Sequence, residues 1–311
     1  MTEPVISTVS SLTFSYNMFL QFLNNTQDEY IRVINCSLTD NTFKLPKISS
    51  KIKHIEFINF DFNNLCSFDN IFMDNIDIQY VKFENCNTSK VSSLYSMFKN
   101  CRNLQNVEFI NFDTSYVTNM SHMFVKCSSL KSLDLSSFNT SNVVNMIGVF
   151  ASCTSLESLN LSSFDTKNVN SMSVMFGDCR NLNHLNLSNF NTSNVREIDF
   201  MFYNCASLTD LDLSSFDISK AVYMNNMFDG CEKLSCLIES FTYESMTYMV
   251  KMFHGCKALK QFKLNRIDER CCLVDMFKDC GNVELIVQFE QEDMIKNKFK
   301  AEQNVKVVCE N

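Results

Sequence analysis

An α/β solenoid of parallel strands is the architecture that three features of this 311-residue chain predict. Cysteines stand at positions 101, 127, 153, 179, 205 and 231, each 26 residues after the last. Phenylalanines keep the same step at Phe98, Phe124, Phe150, Phe176, Phe202 and Phe228. Within each unit the apolar spacing changes from helical to alternating. A fixed period of this length marks units that cannot bury their apolar face alone and stack in one dimension to share a core.

One unit, residues 114–139, shows the change of period. Val117, Met120, Met123, Phe124 and Cys127 fall on one face of a short helix. Thr114 and Ser115, preceded by Asp113, offer N-capping oxygens to its first turn. Leu133-Asp134-Leu135 then alternates with period two, as a short strand does. Val107, Leu133, Leu159, Leu185 and Leu211 place one inward residue per strand. Phe112, Phe138, Phe164, Phe190 and Phe216 follow the strands and are expected to form a spine. The repeats read over residues 31–288, where the step shortens to 25 at Cys256 and 24 at Cys280. Residues 1–30 are expected to form an N-terminal cap, with Met18-Phe19 echoing the repeat's Met-Phe pair. Residues 289–311 are expected to form a C-terminal cap. There Glu292–Ala301 reads as a helix with Ile295 and Phe299 inward and Glu292/Lys296 paired, followed by a strand at Val305–Val308.

Composition narrows the function. Five glycines and two prolines leave no flexible linker. A net charge of −8 and pI near 5.1 argue against nucleic acid as partner. The cluster Lys296, Lys298 and Lys300 reads as the wet side of the terminal helix. The segment Met1–Ser7 lacks a basic and apolar leader pattern, and no run of 18 apolar residues predicts a membrane span. Equivalent cysteines in stacked units point the same way, which is poor geometry for disulfides. The fifteen cysteines are therefore mostly expected as buried free thiols, in keeping with a reducing, cytoplasmic setting. Cys271-Cys272 has no His or Cys partners at zinc spacing, so no metal is expected.

No catalytic residue or cofactor is expected either. The chain lacks G-x-S-x-G, a phosphate-binding glycine loop and H-E-x-x-H. His54, His122, His184 and His254 read as surface histidines, and the Met columns as core. Positional meaning falls on the outward side of the strands. Its middle residues run Glu56, Lys82, Glu108, Asp134, Asn160, Asn186, Asp212, Ile238 and Lys263. Nine strands would make a concave strip about 40 Å long. Within it Glu108, Asp134, Asn160, Asn186 and Asp212 are the candidate partner-binding residues, suited to a protein with a basic surface.

The repeat L-x-x-L-x-L-S-x-F-(D/N)-T-S-x-V-x-x-M-x-x-M-F-x-x-C, displayed by Leu130–Cys153 and Leu156–Cys179, resembles leucine-rich repeats. It is most similar to the BspA-like leucine-rich-repeat family of bacterial surface proteins and some protists. That resemblance covers about 250 residues and implies a right-handed solenoid that binds proteins and carries no catalytic residues. The reading is thus a non-enzymatic protein-interaction scaffold. Two alternatives stay open: a surface adhesin or host-interaction protein exported without a recognisable signal, and an enzyme whose chemistry sits in a cap.

Overall fold

A computed structural model describes residues 6–239 and 248–310, apart from positions 42, 44, 46, 47 and 49. The leader reading of residues 1–5 and the side chain of Ile238 lie outside the described residues. The chain packs as two units, Met1–Asn145 with Ser152–Phe164, and Met146–Ala151 with Asp165–Asn311.

The first unit contains β1 (Ile6–Ser10), β2 (Thr13–Phe14), α1 (Tyr16–Asn25), β3 (Tyr30–Ile34) and β4 (Ser37–Leu38). It continues with β5 (His54–Ile58), β6 (Tyr80–Glu84), β7 (Asn106–Ile110), β8 (Ser132–Asp134) and β9 (Ser158–Asn160). The sheet β1-β3-β5-β6-β7 is parallel throughout, with Ile31, Ile55, Val81 and Val107 in one register column. Strands β2 and β4 form a second small sheet, and β8 and β9 a third. Helix α1 is capped by the Ser15 hydroxyl, which accepts from Met18 N–H, and buries Phe19 and Leu23.

The second unit contains β10 (Asp210–Leu213), β11 (Cys236–Glu239), β12 (Gln261–Leu264), β13 (Val283–Val287), α2 (Glu292–Lys298) and β14 (Val305–Cys309). Strands β10 and β11 pair, and β12, β13 and β14 form another parallel sheet. Helix α2 buries Ile295, Phe299 packs beside it, and Glu292 pairs with Lys296. The segment around Leu185 forms no strand, so the expected run of nine strands is interrupted there.

The helix expected between strands is replaced by a ladder of turns, and among the described residues α1 and α2 are the α-helices present. The hydrogen bonds give the reason. Leu94, Ser96, Phe98 and Asn100 donate their N–H groups to Asn119, Ser121, Met123 and Val125 of the next coil, at 2.7–3.0 Å. The residues between them close short turns inside the coil, such as Met97 to Leu94 at 3.2 Å and Cys101 to Phe98 at 3.0 Å. Beyond its first turn a helix would keep its N–H groups within its own segment. Sending alternate donors outward requires left-handed backbone at two residues per coil, as at Ser96 (φ 52°) and Asn100 (φ 65°). The second unit repeats this at Asp178, Asn204 and Gly230, the residues just before the columnar cysteines. Asn, Asp and Gly tolerate that region best. Thr114 is accordingly no helix cap. Its buried hydroxyl donates to Asn139 carbonyl of the next coil at 3.1 Å, while the Asp113 carboxylate accepts from Ser115 N–H at 2.9 Å.

Stacked side chains fill each core. In the first unit Phe72, Phe98 and Phe124 stack in parallel with centroids 5.1 and 5.4 Å apart. In the second, the column from Phe150 through Phe176, Phe202, Phe228 and Phe253 to Phe277 keeps spacings of 5.2–5.7 Å. The expected spine is present as Phe112 over Phe138 and, in the second unit, Phe190 over Phe216. Each columnar thiol is buried and donates to a phenylalanine carbonyl one coil earlier: Cys127 to Phe98 at 3.2 Å, Cys153 to Phe124 at 3.1 Å, Cys205 to Phe176 at 3.2 Å. Burial pushes the Cys153 and Cys205 thiols up to about 12.

Candidate functional site on the strand face

Alternation along β3, β5, β6 and β7 turns one residue in two outward, and parallel register lines these residues up. Two columns on this face of the first unit are bonded into one network. Tyr30, His54 and Tyr80 form a ring ladder with centroids 5.5 and 5.7 Å apart. Beside it run Arg32, Glu56, Lys82 and Glu108. Arg32 Nε donates to Glu56 Oε2 at 2.7 Å, the Tyr30 hydroxyl donates to Glu56 Oε1, and the Arg32 guanidinium lies over the Tyr30 ring. Glu56 is 6% exposed although it sits on an outward position. Lys82 pairs with Glu84 at 2.6 Å. Burial, and secondarily the carboxylate of Glu108, raises the Tyr80 phenol above its usual range. A third column, Ile34, Ile58, Glu84 and Ile110, lies half-buried to exposed beside these residues.

Further along the same unit the outward residues become short. Glu108, Asp134 and Asn160 border a shallow depression of about 530 Å³, together with Asn106, Ser132 and Ser158. Asp134 Oδ1 accepts from Ser136 N–H at 2.9 Å, and Asn160 Oδ1 from Ser162 N–H at 3.2 Å. These bonds, with the Ser136 hydroxyl, hold the Asp134 carboxyl below its usual range. The remaining candidates belong to the second unit. Asn186 lies outside any strand and accepts from Ser188 N–H at 3.1 Å, and Asp212 accepts from Ser214 N–H at 2.9 Å. The structure thus groups Glu108, Asp134 and Asn160, and it gives all the short candidates a local turn-capping bond.

The histidines divide. His184 is exposed, as expected. His54 is half-buried in the ring ladder, and His122, also half-buried, packs edge-on to Tyr95, with burial lowering its pKa. His254 in the second unit bridges two carboxylates, Asp229 at 2.7 Å through Nδ1 and Asp279 at 3.2 Å through Nε2. Among the described residues no group of His, Cys, Asp and Glu could hold a metal ion, and no helix is long and apolar enough to cross a membrane. Tyr30, Arg32 and Tyr80 were not among the sequence candidates. Their signal was the 24- and 26-residue steps from Tyr30 to His54 to Tyr80.

Coils of one short parallel strand, stacked on a common apolar core with a polar outward face, define a solenoid of leucine-rich-repeat type. The chain belongs to the family described as "Mycoplasma protein of unknown function, DUF285", whose model matches residues 66–184 and 148–266. No curated protein matches it. Solved structures similar to it include a leucine-rich-repeat (LRR) protein of Leptospira interrogans, 11% identical with a TM-score of 0.22 over 89% of each chain. TLR13 in its complex with ssRNA13 is 13% identical with a TM-score of 0.26. The match covers 94% of this chain and 56% of that one.

Proposed function

We propose that this protein is a non-enzymatic protein-binding scaffold of BspA-like repeats, and that the strand face of its first unit is the binding surface. One observation carries the reading: the Tyr30–Arg32–Glu56 network, fixed by hydrogen bonds on an outward face beside Ile34 and Ile58. Tyrosine, arginine and flanking aliphatic residues are the groups that anchor protein interfaces. Side chains already held in place lose little freedom on binding, which leaves more of the contact energy as affinity. Residues 31–288 supply the repeated body in this reading, with 1–30 and 289–311 closing its ends. Gln291 supports the C-terminal closure, because its amide bonds both the N–H and the carbonyl of Ile267, at 3.0 and 2.7 Å. The columnar thiols donate to carbonyls and not to one another, which supports a reducing, cytoplasmic compartment.

The test is affinity capture on the purified chain, followed by titration of the captured protein with two variants. Ile34→Glu/Ile58→Glu on the strand face should weaken binding at least about tenfold, the scale of losing one anchor residue. Tyr223→Ala/Tyr248→Ala, exposed stacked rings on the turn side of the second unit, should leave binding unchanged. The reverse pattern overturns the assignment.

A further inference from the structure

Strand β7 closes one sheet and β8 opens another, so the ladder is interrupted between them. In earlier coils the N–H groups of Asn35, Asn59 and Asn85 donate to Ile58, Glu84 and Ile110 of the following coil, at 2.8–2.9 Å. Asn111, the next residue in that column, makes no such bond. The depression lined by Glu108, Asp134 and Asn160 lies over this break. Charge changes at the same place. The middle column alternates as Arg32, Glu56, Lys82 and Glu108, and its first two members form an ion pair while Lys82 pairs with Glu84. Asp134 then follows Glu108 where the alternation calls for a cation. Glu108 accepts from Asn106 Nδ2 at 3.3 Å and faces Tyr80 and Lys82, yet among the described residues neither it nor Asp134 has a cation within ion-pair distance.

We infer that this depression seats one arginine side chain of a protein partner, completing the interrupted charge ladder. The inference rests on the protein-binding reading above and names its specificity element. Glu108, Asp134, Asn106 and Asn160 line the depression from three coils, and the two carboxylates supply its negative charge, with Asp134 Oδ1 and Asn160 Oδ1 also capping their own turns. A guanidinium matches such a set better than an ammonium, because it carries five donors in one plane and is less strongly hydrated. Ile110 and Leu159 also line the depression and offer apolar contact to the arginine stem.

The experiment uses the full chain with 13C-labelled isoleucine and leucine methyl groups, titrated with N-acetyl-arginine amide. Saturable shifts are expected at Ile110 and Leu159. Their apparent Kd should rise at least about fivefold in Glu108→Gln/Asp134→Asn, and also when salt is raised from about 0.05 to about 0.5 M. Both substitutions keep side-chain shape, and asparagine keeps the turn-capping oxygen, as Asn160 does in the next coil. Equal shifts with N-acetyl-citrulline amide, equal or tighter binding of N-acetyl-lysine amide, or unchanged binding by the double variant would each overturn the assignment. Failure of the two levels is separable. An arginine probe that leaves Ile110 and Leu159 unmoved, while Ile34→Glu/Ile58→Glu still weakens the captured partner, removes the seat and spares the scaffold reading. A bound probe with a partner indifferent to the isoleucine pair removes the wider face assignment instead.

Discussion

The coils of β5, β6 and β7 and the coils of β8 and β9 share one repeat and one core, yet they end their strands differently. The first group has five-residue strands that turn at left-handed Asn59, Asn85 and Asn111, with φ of 51–54°. The second has three-residue strands closed by the side chains of Asp134 and Asn160. The switch follows the length of the middle outward residue. A short Asp or Asn oxygen reaches the N–H two residues on and offers it a local acceptor in place of the ladder. Glutamate and lysine at the same position, as in Glu56, Lys82 and Glu108, reach past their own backbone and bond neighbouring side chains. One methylene thus separates a turn cap from a member of a surface network. A column of outward polar residues is not a column of like roles.

Because both groups share the thiol column, damage to it should ignore the difference between them, and it should be the largest effect. Cys101→Asp and Cys153→Asp each bury a carboxylate, at a cost of about 4 kcal/mol or more. Thermal melting should show both variants unfolded or severely destabilised, and tolerance of either one would mean the core is not common. The same column predicts an alkaline limit. The folded thiols of Cys153 and Cys205 keep their protons up to about 12, against an ordinary value of 9.0. The unfolded chain loses those protons first, so this stability is complete below pH 9 and falls as pH rises toward 12. Each such thiol contributes a slope of about 1.4 kcal/mol per pH unit. Urea midpoints should hold steady below that window and collapse within it.

Next in size are changes that touch one group alone. Glu56→Ala strips half-exposed Arg32 and Tyr30 of their shared acceptor in the β5–β7 network and should cost about 1.5–2 kcal/mol by urea unfolding. Asp134→Ala should cost only about 0.5–1 kcal/mol, the worth of a turn cap. The smallest change is the most discriminating. Asp134→Asn should melt like the natural chain, whereas Asp134→Glu should melt like the alanine variant, since the longer side chain misplaces its oxygen. Equal melting of the Asn and Glu variants would erase the distinction between the two kinds of coil.

The columns were legible in the sequence because burial repeats with the chain: Phe98, Cys101, Leu133 and Phe138 sit where their spacing put them. The turn ladder was not, because apolar steps of three and four suit stacked turns of three residues as well as an α-helix. What separates the two, in most coils, is the residue before the cysteine, although Lys126 and Ser152 take the same left-handed backbone without signalling it. Asn100, Asp178, Asn204 and Gly230 favour left-handed backbone, which no helix interior wants. At the candidate site, period two placed Glu108, Asp134 and Asn160 outward. The Asp134-Leu135-Ser136 spacing that makes Asp134 a cap is a two-residue signal easily hidden inside a repeat. The ring ladder of Tyr30, His54 and Tyr80 escaped because its first step is 24 residues, outside the regular 26.

Bonds between coils run both ways along the chain, and some backbone N–H groups, such as that of Gln105 to the Gln79 carbonyl at 2.8 Å, reach back as the thiols do. Backbone N–H groups such as that of Leu94 reach forward to the coil not yet made, whereas thiols such as that of Cys127 reach back to the coil already there. A coil leaving the ribosome therefore finds its thiol acceptor waiting and a row of unspent amide donors beside it. It arrives as the missing half of a surface that has already been shaped. Synthesis from the N-terminus extends an existing template one turn at a time, and a refolding chain released all at once has no such order of arrival.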